Sequence, residues 1–198
     1  MITPDKKRQS RLDELSREIH TCRRCPLWEN THQAVPGEGN PSATVFFIGE
    51  APGEKEDLTG RPFVGRAGSL LNALITGAGL SREEAFIGNI VKHRPPGNRD
   101  PRTGEIAVCS PYLDRQIQVI RPRILVPLGR HSSRYILSKT GTSFEKITDI
   151  RGTIIQARIW DIPVRIVPTL HPAAALYSPR YRKALEDDFR TIYTLTKR

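Results

Sequence analysis

Apolar and polar positions along this chain fall into two alternating rhythms, and the alternation predicts its elements. Residues 1–20 are densely charged, yet Leu12, Leu15 and Ile19 recur at helical spacing, so the segment reads as a helix with one apolar face. The run ATVFFIG (43–49) is short, continuous in its hydrophobicity and rich in β-formers, the pattern of a buried parallel strand. AGSLLNALITGAG (67–79) returns to the helical period with Leu70, Leu71, Leu74 and Ile75 in register. AFIGNIV (85–91) reads as a second strand, residues 104–120 as a helix, ILVPLG (124–129) as a third strand, and HSSRYILSK (131–139) as a short helix. TIIQARIW and IPVRIVPT, separated by Asp161, read as a β pair ending near Thr169. A last helix over 179–196 carries Tyr181, Leu185, Phe189, Ile192 and Leu195. No internal repeat or low-complexity stretch interrupts the series.

Strands that alternate with helices predict a mainly parallel α/β sheet covered on both faces. In such sheets ligands sit beyond the carboxyl ends of the strands. Here those ends carry Gly49–Glu50, Asn89, Gly129 and His171.

Composition sharpens the picture. The chain has 198 residues, enough for one domain with a real core, and 26% charged residues argue against a disordered chain. No apolar run approaches the ~18 residues of a membrane span. The start, MITPDKKRQSRLDEL, is too polar for a secretory signal, so a cytoplasmic protein is expected. With 31 Lys and Arg against 21 Asp and Glu, the formal charge is +10, which points to a polyanionic partner, nucleic acid first. Such binding would associate the protein with the nucleoid. Three cysteines, Cys22, Cys25 and Cys109, make a poor disulfide framework. Cys22 and Cys25 form C-x-x-C, a pattern of metal or redox chemistry, and His93, in a loop sixteen residues before Cys109, is an attractive fourth ligand. Spacing alone does not choose between zinc and an iron–sulfur cluster.

The loops carry the remaining chemistry. GEAPGEKED (49–57) leaves a strand end with Glu50, Glu54, Glu56 and Asp57 crowded into it. It lacks the P-loop pattern and has the wrong sign for phosphate, so it suits work on a substrate, although acidic turns are often merely solvated. Phe63, in GRPFVG (60–65), is a candidate stacking platform or a core anchor. Asn89 ends an apolar strand and offers both donor and acceptor to a base edge, or makes a turn. His171, in THP, is a candidate proton or hydrogen-bond donor to a leaving group. Leu176 and Tyr177 nearby would serve as a wedge in a base stack or as packing for the last helix.

Taken together these motifs resemble the family 4 uracil-DNA glycosylases, the iron–sulfur branch of their superfamily. The resemblance runs from about Cys22 to the terminal helix. It rests on C-x-x-C, GEGNP (37–41), GEAPGEKED, TGRPFVGRAG (59–68), the Asn89–Arg99 run NIVKHRPPGNR, Cys109 and HPA (171–173). It implies a single domain of three α/β/α layers around a mainly parallel four-stranded sheet, with residues 1–30 packed on the core. It implies a monomeric enzyme of base excision repair that flips uracil from single- or double-stranded DNA and hydrolyses its N-glycosidic bond.

In that family four cysteines hold a [4Fe–4S] cluster. Cys22, Cys25 and Cys109 match three, and His93 stands where the fourth is expected, so Cys3His ligation is implied, with zinc second. The X-type branch also has Lys-His here, but it traps uracil DNA covalently through an inserted Arg- and His-rich loop that is missing between Pro95 and Cys109. Phe63 matches the aromatic that stacks on uracil, Asn89 the amide that reads its polar edge, and the Ala51 backbone a main-chain contact to the base. His171 matches the histidine that bonds uracil O2. Glu50 and Glu56 match acids linked to catalysis and pocket shape, and Asn98 a further active-site Asn. Family 1 enzymes have Asp one residue after the position of Glu50, where this chain has Ala51. Lys92, Arg94, Arg99 and Arg102, and then Arg180, Arg182 and Lys183, are expected to meet phosphates, with Leu176 at the DNA. A covalent trap and a non-catalytic, metal-pinned DNA-binding module are the rival readings.

Overall fold

The computed structural model describes residues 3–197. Its centre is a six-stranded sheet in the order β1-β3-β2-β4-β6-β5. The strands are β1 (Glu38–Gly39), β2 (Val45–Gly49), β3 (Phe86–Asn89), β4 (Ile124–Pro127), β5 (Ile155–Ile159) and β6 (Ile162–Ile166). The inner four are parallel, as the alternation predicts, and both edges are antiparallel. The expected four-stranded sheet is therefore corrected to six. β1 is two residues long and too short to show a period. β5 folds back on β6 through a two-residue turn in which Trp160 and Asp161 both have positive φ (45° and 63°), the conformation that matches strand twist in a tight hairpin.

Among the described residues seven α-helices surround the sheet: α1 (Pro4–His20), α2 (Glu54–Thr59), α3 (Arg66–Gly77), α4 (Thr103–Ile120), α5 (Arg130–Ser138), α6 (Ile147–Ile150) and α7 (Pro179–Thr196). The pleat of β2 sorts the core into two halves. Phe46 and Ile48 face α1, α4 and α5 through Leu12, Ile19, Leu113, Ile117 and Ile136. Val45 and Phe47 face α3 and α7 through Leu71, Ile75, Phe189 and Ile192, with Phe47 stacked on Phe189 at 5.5 Å. Three α/β/α layers result. No helix among the described residues is long and apolar enough to cross a membrane.

The segment read as one loop over 50–65 contains α2. Glu54, Glu56 and Asp57 occupy its first turn, where carboxylates complement the positive end of the helix dipole. Asp57 is buried, accepts from the His32 backbone N–H at 3.0 Å and pairs with the His32 ring at 2.9 Å. Asp57 is thus structural, Glu54 is exposed, and Glu50 and Glu56 line the cleft.

Candidate active site

The carboxyl ends of β2 and β3 and the segment after β6 open into one cleft of about 420 Å³. Glu50, Ala51, Glu56, Phe63, Asn89, Asn98 and His171 all line it, so the sequence-predicted pocket residues are brought together.

The floor is Asn89, 1% exposed, whose Oδ1 has no hydrogen-bond partner. Gly49 is its register partner on β2, and a Cβ there would fall 2.2 Å from that oxygen and 2.8 Å from the Phe63 ring. Only glycine lets both side chains enter. Phe63 is held with φ of 52°, rare for an aromatic residue. Two braces support it. The Glu56 Oε1 accepts from the backbone N–H groups of Val64 and Gly65, each at 2.8 Å. Behind, the Arg82 guanidinium donates to the Pro62 carbonyl at 2.7 Å and pairs with Glu38 at 2.8 Å.

His171 stands 5.7 Å from the Phe63 ring, tilted by 32°. Its Nδ1 accepts from the Ala173 N–H at 3.1 Å, which leaves the proton of the neutral ring on Nε2. Burial pushes its pKa down to about 4, so the imidazole is a neutral donor at pH 7. A stability consequence follows. The unfolded chain takes up this proton near 6.5, while the folded chain resists it until about 4. His171 therefore lowers stability progressively as pH falls through that window, with no further loss below it. His171→Gln is expected to flatten the acid side of a Tm-against-pH curve, read by thermal melts between pH 4 and 8.

Glu50 is raised to about 7 by burial and by Asp100, with Arg130 opposing. Its Oε1 is buried without a hydrogen-bond partner. The cleft thus presents an unpaired amide, an aromatic wall, a neutral N–H donor and a tunable carboxylate within one concave space.

Residues 36–193 match the family model for the uracil DNA glycosylase superfamily. The chain belongs to the uracil-DNA glycosylase superfamily. It is 52% identical over 185 residues to the Type-4 uracil-DNA glycosylase of Sulfurisphaera tokodaii, covering 93% of this chain and 84% of that one. It is 53% identical over 182 residues to the Type-4 uracil-DNA glycosylase of Saccharolobus solfataricus, covering 91% and 84%. The Type-5 uracil-DNA glycosylase of Thermus thermophilus is 32% identical over 131 residues, covering 59% of this chain and 58% of that one. Within the superfamily the chain is therefore a Type-4 member.

In this Type-4 chain the three cysteines converge although two lie just after α1 and one on α4. Cys25 and Cys109 each feel the charge of Cys22, and Cys109 is pushed up to about 11, chiefly by burial. The Lys92 backbone N–H donates to the Cys109 Sγ at 3.2 Å. His93 is buried against the C-x-x-C turn, and burial together with Arg23 moves it down to about 4. Among the described residues, no three of these four donors lie within 4.8 Å of one another. Three thiols and an imidazole are donors of the kind that hold zinc or an iron–sulfur cluster.

One of the expected phosphate contacts, Lys92, needs correction. Lys92 is fully buried; its Nζ donates to the Pro36 and Asn89 carbonyls and to the Gln116 Oε1 at 3.2, 2.9 and 2.7 Å. It is a strut under Asn89 and does not reach DNA. Arg99 lines the cleft and makes a two-pronged pair with Glu105 at 2.7 and 2.9 Å. Asn98 accepts from the Arg94 Nε at 2.7 Å. Arg180 and Arg182 are exposed on the first turns of α7, with Arg182 3.4 Å from Glu186. Leu176 is half-buried against the α3–α7 core, whereas Tyr177 is 78% exposed and receives a 2.7 Å hydrogen bond from Arg66.

Two further residues at the cleft, Asp100 and His131, have no role in the reading of the sequence. Both stand beside Glu50, their donor atoms within 4.8 Å of one another. The available signal was that His131 follows the end of β4 by only a few residues.

Proposed function

We propose that this chain removes uracil from DNA by hydrolysing its N-glycosidic bond, the first step of base excision repair. The observation that carries the reading is the unpaired, buried Asn89 amide facing a cleft walled by Phe63. Leaving a buried polar atom unsatisfied costs about 1–3 kcal/mol, and a base edge is a fitting partner for it. In this reading uracil leaves the stack, lies against Phe63, and offers its polar edge to Asn89 and to the Ala51 backbone. As the glycosidic bond lengthens, negative charge gathers on the departing base. The neutral His171 Nε2–H donates to O2 and stabilises it without itself losing a proton. The Glu50 carboxylate favours the positive sugar and orients water. Glu56 acts by pinning the Val64–Gly65 backbone, which fixes Phe63 and closes the space a thymine methyl group would need. Asn98 closes the outer rim.

Cys22, Cys25, Cys109 and His93 would hold a [4Fe–4S] cluster, which supplies a cross-link between the C-x-x-C turn, β3's outgoing segment and α4. DNA is met by the face around Tyr177, Leu176, Arg180 and Arg182, and one copy of the chain carries the whole cleft. Cys109→Ser is expected to abolish absorbance near 400 nm and lower Tm by ~10 °C or more, since metal binding contributes directly to folding. Unchanged colour and Tm would remove the cluster from the account.

The function is tested with a uracil-containing oligonucleotide, alkali and a denaturing gel. Scission at uracil is expected, and none at thymine. A complex that survives denaturation would indicate a covalent trap; binding without either outcome would indicate a DNA-binding module.

A further inference from the structure

The position of His171 depends on what holds the chain just before it. β6 ends at Ile166, and the chain runs on beside β4. The Val167 N–H donates to the Leu125 carbonyl at 2.9 Å and the Thr169 N–H to the Pro127 carbonyl at 3.1 Å. The Gly129 N–H then donates to the Thr169 carbonyl at 2.8 Å. Thr169, two residues before His171, is thus fastened to β4 and its continuation by its backbone. Its side chain is fully buried, and its hydroxyl donates to the Asp188 Oδ2 on α7. Arg151 grips the same carboxylate, Nε to Oδ2 at 3.1 Å and Nη2 to Oδ1 at 2.5 Å, and also donates to the Ala184 carbonyl. We propose that Asp188, braced by Arg151, is a positioning residue that acts through the Thr169 hydroxyl to hold His171 where its Nε2–H meets the departing base.

The local packing is built around this contact. The Gly152 N–H donates to the Pro168 carbonyl at 2.8 Å, and a Cβ on Gly152 (φ 70°) would fall 2.2 Å from the Asp188 Oδ1. Arg151 and Gly152 therefore clasp both the carboxylate and the segment that leads to His171. At His171 itself, a Cβ on Gly129 would fall 3.0 Å from the His171 Cβ, so the backbone after β4 packs directly against the base of this side chain. Burial pushes the Asp188 carboxyl up, while Thr169 and Arg151 pull it down. A buried ion pair is a weak source of stability, and apolar residues of the same size often serve as well. The network has a use in geometry instead, since a misplacement of ~1 Å at a reacting group can cost ~10²-fold in rate.

The inference rests on the glycosylase reading, and single-turnover uracil release separates the two. Thr169→Val keeps the shape of the side chain, removes the hydroxyl and leaves Asp188 paired with Arg151. It should slow uracil release ~10-fold at saturating enzyme, with the half-saturating concentration unchanged within ~2-fold. Thr169→Ser should recover most of the rate. Asp188→Leu should match Thr169→Val, and the two changes together should cost little more than either. In a His171→Ala background Thr169→Val should have almost no further effect. Circular dichroism melts establish that each variant is folded, and Thr169→Val decides the matter by itself if Asp188→Leu is not. A wild-type rate in Thr169→Val or in folded Asp188→Leu, a loss confined to half-saturation, or full additivity with His171→Ala would each overturn the assignment alone. A folded wild type that releases no uracil would overturn the glycosylase reading, and this assignment with it.

Discussion

Glu50→Gln is expected to slow uracil release ~10²–10³-fold at pH 7.5 in single-turnover assays, the usual effect of removing one group that stabilises transition-state charge. Gln keeps the size and polarity of the side chain and removes only its negative charge. Binding of uracil-containing DNA should therefore change far less than the rate. The substitution should also stabilise the fold. Glu50 holds its proton until about 7 in the folded protein against 4.5 in the unfolded chain. Its ionisation thus lowers stability as pH rises between those values, and the full loss is present above about 7. The gain in Tm for Glu50→Gln should appear at pH 8 and be small at pH 5. A variant that is both slow and less stable at pH 8 would contradict this account of the site.

Asn89→Ala is expected to lower the rate by a similar ~10²–10³-fold, with a loss in uracil-DNA affinity as well. The reason differs. Asn89 reads the base in the ground state and holds it more tightly as charge gathers on it in the transition state, so both KM and kcat should suffer. Its Oδ1 is orphaned in the free protein, so truncation removes an unsatisfied group at the bottom of the cleft. Tm should hold or rise, since a buried polar atom without a partner works against folding. Gly49→Ala is the structural counterpart. Its Cβ would collide with Asn89 and Phe63, so it should lose both activity and stability. Activity assays beside thermal melts distinguish the two patterns.

Much of this molecule was legible in its residues. The parallel strands are apolar runs because both their faces are covered, and α1, α3, α4 and α7 show a clear apolar stripe. Asn89 and His171 stand out as candidates because their motifs follow strands, and Phe63 because it sits between glycines in a loop; all three line the cleft. Other features were hidden for physical reasons. β1 exists only because two residues find the edge of β3. α2 is six residues long and looks like an acidic turn. Lys92 reads as a surface charge, and is buried because acceptors from positions 36, 89 and 116 converge on its ammonium. Arg99 pairs with Glu105, a partner six residues away that the loop sequence does not announce. Asp100 comes from a loop and His131 from the first turn of α5, and only the fold sets them beside Glu50. Such convergences leave no local signature in a single sequence.

The most direct test of the central claim is quantification of free base released from matched oligonucleotides that carry one uracil or one thymine. The account predicts one equivalent of free uracil per uracil strand, an alkali-labile abasic site left behind, and no thymine released. Firm binding of the uracil strand by folded, metal-loaded protein, with no free uracil formed, would contradict it.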